Sequence, residues 1–197
     1  MVEPVDVKVF FNFRSPYCYL ASKRMFQIFD AFHARLIWRP LGGWDGRSPP
    51  ERAKVKVPLV RQDVARFARR MGIPLNPPPK TTDPTKAGAG SLLAEEQGLL
   101  RPYIVEMMRA EWAEGADIGE EDVILTVGRK IGLDVGALRE AIGDPVRYAR
   151  LKANWEEARS LGVIGVPTFV IGDQIFWGND RIEFVCEHLR ELRLARL

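Results

Sequence analysis

The chain has 197 residues, a length that fits one domain or one domain with a large insertion, and its 46% apolar content allows a sizeable core. Its 29 basic and 26 acidic residues leave a net charge of only +3, and no basic run interleaves with aromatics, which excludes nucleic acid as a partner. No apolar run approaches the roughly 18 residues of a membrane span, residues 1–8 are too acidic for a secretion leader, and Cys18 and Cys186 are the only cysteines, so no membrane partner and a cytoplasmic location are expected.

The first predicted element is a buried strand over Val7–Phe13, rich in β-branched and aromatic residues. Leu20, Ala21, Met25, Phe26, Ile28 and Phe29 then recur at helical spacing and predict a helix to about Phe32. Ser15 suits the N-cap of that helix and Pro16 its first position, where a missing N–H costs nothing. An anion at that helix end would be stabilised by about 0.3–1 kcal/mol. By itself the stretch also reads as a plain strand-to-helix turn with a capping serine.

Arg35–Trp38 reads as a second strand, parallel to the first through a right-handed crossover, and Arg39–Gly46 as a loop punctuated by proline and glycines. Ser48-Pro49-Pro50-Glu51 carries helix-start chemistry. One helical pattern then contains Val60, Val64, Phe67, Ala68 and Met71 and stops at Gly72; others cover 87–97, 100–113, 120–131, 134–142 and 144–161. Between the first two, residues 72–84 hold five prolines and must be loop, either a binding segment or a semi-rigid spacer. Thr168–Ile171 and Gln174–Trp177 read as two short strands around a Gly172-Asp173 turn. A last helix starts near Asp180 and carries Ile182, Val185, Leu189 and Leu192 on one face; Cys186 is read as a buried residue of that helix.

Strand-helix-strand at the front and strand-strand-helix at the back is the order of an α/β thioredoxin-like fold with a large α-helical insertion. Residues 1–48 plus 162–197 make the thioredoxin-like domain and 49–161 the inserted helical domain. Ser15-Pro16-Tyr17-Cys18 falls where that fold carries Cys-x-x-Cys, and Val166-Pro167-Thr168 resembles its cis-proline loop. A cis bond there would leave the Val166 backbone N–H and C=O free for an extended, peptide-like ligand.

The chain resembles the 2-hydroxychromene-2-carboxylate isomerase family, which sits with the kappa-class glutathione transferases and the Dsb-type disulfide oxidoreductases. The matching residues are Asn12-Phe13-Arg14-Ser15-Pro16-Tyr17 with Tyr19-Leu20-Ala21, then Arg39-Pro40-Leu41-Gly42-Gly43. Lys56 and Asp63 with Arg66-Phe67-Ala68 follow, then Gly165-Val166-Pro167-Thr168-Phe169 and Phe176-Trp177-Gly178-Asn179-Asp180-Arg181. The resemblance implies glutathione as cofactor, a small aromatic substrate, a homodimer, and interconversion of 2-hydroxychromene-2-carboxylate with trans-o-hydroxybenzylidenepyruvate in aromatic catabolism.

In that reading the catalytic residue is Ser15, whose hydroxyl would donate to the glutathione sulfur; charge-assisted bonds of this kind contribute about 1.5–3 kcal/mol. Val166 and Pro167 would offer backbone. Asn179, Asp180 and Arg181 would open the last helix, where its N–H groups take the γ-glutamyl carboxylate and Asp180 the ammonium; the plainer alternative is that Asn179 or Asp180 only caps the helix. Lys56 would supply a cation for a carboxylate, or would simply be a solvated surface lysine. Cys18, where thioredoxin-like enzymes have their second cysteine, is read as packing. The chain departs from the family at Leu59, where a tyrosine is usual, and at Asp83 or Asn76, where an asparagine is often found. A kappa-like glutathione transferase, a Dsb-type oxidoreductase and a non-catalytic binding protein are the rival readings. The missing thiol at Ser15 argues against the oxidoreductase.

Overall fold

The computed structural model describes residues 2–43, 45 and 48–196. Strand β1 (Val5–Phe11) lies inside a four-stranded sheet of order β2-β1-β3-β4, with β2 at Ala34–Pro40, β3 at Thr168–Ile171 and β4 at Gln174–Trp177. β1 runs parallel to β2, with Val5 opposite Ala34 and Phe11 opposite Pro40, and antiparallel to β3, with Phe10 opposite Thr168. A strand covered on both faces needs a continuous apolar run. Val9, Phe10 and Phe11 supply one at the end of β1, and they and Val7 are fully buried.

Two sequence expectations shift at the N-terminal end. The strand covers Val5–Phe11 rather than Val7–Phe13, because Asn12 leaves the ladder and accepts the Arg14 N–H on its Oδ1 at 2.9 Å. The single helix expected to reach Phe32 is two short ones, α1 (Pro16–Ser22) and α2 (Gln27–Ala31). The Ser22 hydroxyl donates back to the Tyr19 carbonyl, and Lys23 N–H and Gln27 N–H bond three residues back, so the chain tightens between the two helices.

Among the described residues six helices fall between β2 and β3: α3 (Pro50–Met71), α4 (Thr85–Glu96), α5 (Leu100–Trp112), α6 (Glu121–Ile131), α7 (Val135–Ala141) and α8 (Pro145–Ser160). After β4, a 3₁₀ turn over Asn179–Arg181 leads into α9 (Ile182–Glu191). Trp44 and Gly46 of the predicted 39–46 loop lie outside the described residues.

One apolar cluster runs from β1 through α4 and α5 to α9. The Phe11 ring lies 5.3 Å from Phe13 and 5.1 Å from Trp38, and Phe13 meets Tyr103 of α5 edge-on at 5.9 Å. Small residues in α4 allow this closeness: a Cβ on Gly90 would stand 2.5 Å from the Tyr103 hydroxyl. The buried polar atoms of the seam are paired, with Trp38 Nε1 donating to Ser91 Oγ and the Tyr103 hydroxyl to the Ala87 carbonyl, both at 2.9 Å. On the other face, Asn154 Nδ2 of α8 donates to the Pro40 carbonyl at 2.9 Å.

Asn154→Ala should therefore leave the Pro40 carbonyl buried without that donor and lower stability by about 1–3 kcal/mol. Urea denaturation checks this; an unchanged midpoint would mean that the Asn154 bond adds nothing to the docking of α8.

Candidate functional site

β1 ends at the sheet edge from which α1 starts, and the turn between them is built by local hydrogen bonds. Ser15 N–H donates to the Asn12 carbonyl at 3.0 Å, and Ser15 caps α1 by accepting the Cys18 N–H on its Oγ at 3.4 Å. Pro16 occupies the first helical position, as its sequence place predicts. The Ser15 hydroxyl also donates to the Val166 carbonyl at 3.4 Å, which brings together two stretches 151 residues apart in the chain.

The Val166–Pro167 peptide is cis, as expected from the motif. The Pro167 carbonyl accepts from Gly178 N–H at 2.9 Å, and the Thr168 hydroxyl donates to the Gly165 carbonyl at 2.7 Å, so both sides of the bond are anchored. The Val166 N–H donates to no described group. Gly165 is required by contact: a Cβ there would lie 2.6 Å from Trp177 Nε1.

Asn179, Asp180 and Arg181 do not form the first turn of the last helix. They form the 3₁₀ turn ahead of it, and neither Asn179 nor Asp180 makes a side-chain cap bond. Asn179 is buried, whereas Asp180 is exposed and pairs with Arg181 at 2.7 Å. Gly178 holds φ +122, and a Cβ there would meet Asp180 Oδ1 at 2.5 Å, so the glycine lets the aspartate fold back over the turn.

No hydrogen bond among the described residues joins Lys56 to the other predicted residues. Lys56 is exposed in the first half of α3, and its Nζ donates to Ser48 Oγ at 3.3 Å. Seven residues on, about two helical turns, Asp63 accepts the Tyr17 hydroxyl on its Oδ2 at 2.9 Å. Burial first, then Asp63 and the charge of Asp180, raise the pKa of the Tyr17 phenol. Tyr17 thus stands between two carboxylates, an arrangement suited to an ammonium group. Asp83 is turned toward its own helix start, accepting the Thr85 N–H at 2.9 Å, and Asn76 Nδ2 donates to the Glu114 carbonyl at 3.1 Å.

Cys18 is fully buried, and burial pushes its thiol up to about 12, with the Asn12 backbone and Ser15 partly opposing. It is not a thiolate near neutral pH. Two residues to which sequence patterns assign no role stand close by, Glu111 and the Arg14 of the N-terminal motif. Glu111 of α5 is fully buried with neither carboxyl oxygen bonded, and its pKa is held well above the usual carboxylate range by burial, against the opposing influence of Arg14 and Trp112. Arg14 lies over the Trp112 ring at 5.8 Å. A glutamate in a helix shows no sequence signal for burial, and only the docking of α5 behind α1 creates it.

Fold and site together define a thioredoxin-type protein with a serine at the head of its first helix and a helical insertion. Residues 6–190 match the model of the DSBA-like thioredoxin domain, and the chain belongs to that family. It is 26% identical over 196 residues to a 2-hydroxychromene-2-carboxylate isomerase of Sphingobium xenophagum, covering 96% of this chain and 99% of that one. A solved 2-hydroxychromene-2-carboxylate isomerase superposes with a TM-score of 0.82 at 25% identity, over 95% of both chains. The cytosolic disulfide reductase DsbM from Pseudomonas aeruginosa, solved with GSH, gives a TM-score of 0.74 at 18% identity, over 96% of this chain and all of that one. Among the described residues no helix is long and apolar enough to cross a membrane, and no cluster of His, Cys, Asp and Glu could hold a metal ion.

Glu111 gives the site a pH signature. A carboxyl whose pKa is raised on folding contributes stability that is complete below its unfolded value and is lost as pH rises through its folded value. From about pH 5 upward, the melting temperature of the protein should fall relative to that of Glu111→Gln. Scanning calorimetry of both proteins across pH measures the difference; parallel profiles would show that Glu111 does not change its proton affinity on folding.

Proposed function

We propose that the protein is a glutathione-dependent isomerase of aromatic catabolism, acting on 2-hydroxychromene-2-carboxylate and trans-o-hydroxybenzylidenepyruvate or a related conjugated keto acid. The observation that carries this reading is the meeting of the Ser15 hydroxyl with the Val166 backbone at the N-terminus of α1, beside a Val166 N–H that has no partner among the described groups. The relatives bearing that activity's name match along nearly the whole chain, and a protein of the same fold holds GSH.

The residues suit glutathione in three places. Val166 offers an N–H to a peptide-like backbone, the cap of α1 suits an anionic sulfur, and Asp180 with Asp63 flanks a surface suited to the γ-glutamyl ammonium. Asn179 and Arg181 shape and counter-charge the turn that carries Asp180, and Lys56 provides a more distant cation on α3. Glutathione, when bound, supplies a thiol nucleophile for reversible addition to a conjugated double bond.

The part of this chain is to hold that sulfur charged and in place. The Ser15 hydroxyl spends its proton on a bond of 3.4 Å to the Val166 carbonyl, long enough to be weak. Turning that proton toward an anionic sulfur forms a stronger, charge-assisted bond. Ser15 has no histidine within its hydrogen bonds to act as base, which favours a donor over a nucleophile. Cys18, buried and protonated, leaves the motif without a dithiol cycle. In the same reading residues 49–161 form the inserted unit that walls the site, and the protein is a cytoplasmic homodimer.

Reduced glutathione should raise the melting temperature of the protein, since a ligand of the native state alone stabilises it by RT ln(1 + [L]/Kd). Asp180→Ala should reduce that shift. No shift at millimolar glutathione would remove the cofactor from this reading.

Ser15→Ala should fold normally and lose roughly tenfold to hundredfold in glutathione-dependent isomerisation, whereas Cys18→Ser should keep its rate. Steady-state assays of both variants decide this. An inactive Cys18→Ser beside a normal Ser15→Ala would invert the two roles, and stoichiometric consumption of glutathione would identify a transferase instead.

A further inference from the structure

Buried polar atoms are almost always hydrogen-bonded. Near Ser15 several are not: Arg14 Nε and both carboxyl oxygens of Glu111 lack partners among the described groups. The two side chains are close enough for Arg14 to favour the charged form of Glu111, yet neither gives the other a hydrogen bond. Arg14 Nη2 donates only long bonds, 3.3 Å to the Pro79 carbonyl and 3.4 Å to the Lys80 carbonyl, and the guanidinium lies on Trp112. The cation therefore sits one residue before Ser15, where α1, the end of α5 and the proline-rich segment meet, with donors to spare. A planar guanidinium so placed matches a carboxylate, which accepts two parallel N–H bonds.

We propose that Arg14, backed by Glu111, is the specificity determinant that binds the carboxylate of the electrophilic substrate beside Ser15. This rests on the glutathione reading above and adds to it the recognition of the second substrate. The alternative cation, Lys56, is solvent-exposed in the first half of α3 and bonded to Ser48.

Glu111 acts as a positioning residue. An ionised glutamate there would pair with Arg14 and cancel the charge that the substrate needs. The charged and titratable groups that face it are Arg14 ahead of α1, Cys18 within α1, and Asp117 beyond α5, with the Trp112 indole, which gives its N–H to the Phe13 carbonyl at 3.3 Å. Of these, only Arg14 and Trp112 favour the carboxylate form, and burial outweighs them. The protonated carboxyl that burial favours leaves Arg14 to a ligand, and as pH rises and Glu111 ionises it competes for that cation.

The test compares glutathione-dependent turnover of trans-o-hydroxybenzylidenepyruvate with that of o-hydroxybenzylideneacetone, the same conjugated ketone without the carboxylate. The unaltered protein should prefer the acid. Arg14→Gln should lose roughly tenfold to hundredfold of that preference, through KM, and Arg14→Lys should restore part of it, so a poorly folding Gln variant still leaves a reading. Glu111→Gln should keep the preference and abolish its decline as pH rises. Equal losses on both substrates in the Arg14 variants, a carboxylate-selective loss in Lys56→Ala instead, or an unchanged decline with rising pH in Glu111→Gln would overturn the assignment. Protein that binds glutathione but does not favour the acid overturns this inference alone. Protein that does not bind glutathione removes the proposed function and this inference with it.

Discussion

The bond from Arg14 N–H to the Asn12 side chain converts a buried strand into a helix start within three residues. Val9, Phe10 and Phe11 bury the end of β1, so it cannot drift, and the Asn12 turn passes that rigidity to Ser15. Pro16 then holds the first residue of α1 in helical conformation, and Ser15 closes the cap on Cys18 N–H. Each of these interactions is local and modest, but all of them lean on the same buried strand. Loss of its packing would release the serine, the helix end and the neighbouring Arg14 together.

The second half of the site comes from far along the chain. β3 pairs with β1 and so carries the segment 165–167 alongside Ser15. The pairing is antiparallel, which sets the beginning of β3 against the end of β1, where α1 starts. Anchoring bonds on both sides of Pro167 hold the segment in place, while the Val166 N–H donates to no described group. The helical insertion closes the opposite side through Trp112, Asp63 and the proline-rich segment, which is held by the Tyr19 hydroxyl at Pro74 and by Arg14 at Pro79 and Lys80. That segment is thus tied at Pro74, Pro79 and Lys80 to residues around α1.

Replacing an exposed thiol with a hydroxyl at the head of α1 changes what the scaffold can do. A hydroxyl neither stores electrons nor exchanges disulfides, but it can donate to an anionic sulfur brought by a ligand. The remaining thiol of the motif lies in the core, where burial keeps it protonated. Membership of the DSBA-like family therefore describes the scaffold, while the chemistry depends on the few side chains set around the helix end.

Periodicity and turn chemistry made most of the architecture legible. The strands Thr168–Ile171 and Gln174–Trp177, the parallel pairing of the first two strands, the serine cap and the run of inserted helices all follow from patterns that span a few residues. Local misjudgements had local causes: Asn12 drew the strand end back, Ser22 helped to split the first helix, and Gly178 let Asp180 curl over a 3₁₀ turn rather than begin α9. The sequence by itself thus determined which segments are helices or strands and that a serine would head α1. Only the tertiary structure decided that Tyr17 meets Asp63, that Ser15 meets Val166, and that Glu111 is sealed behind Arg14. Those contacts join residues tens to more than a hundred positions apart, and charge and burial at such meetings depend on how whole elements dock, which no local pattern encodes.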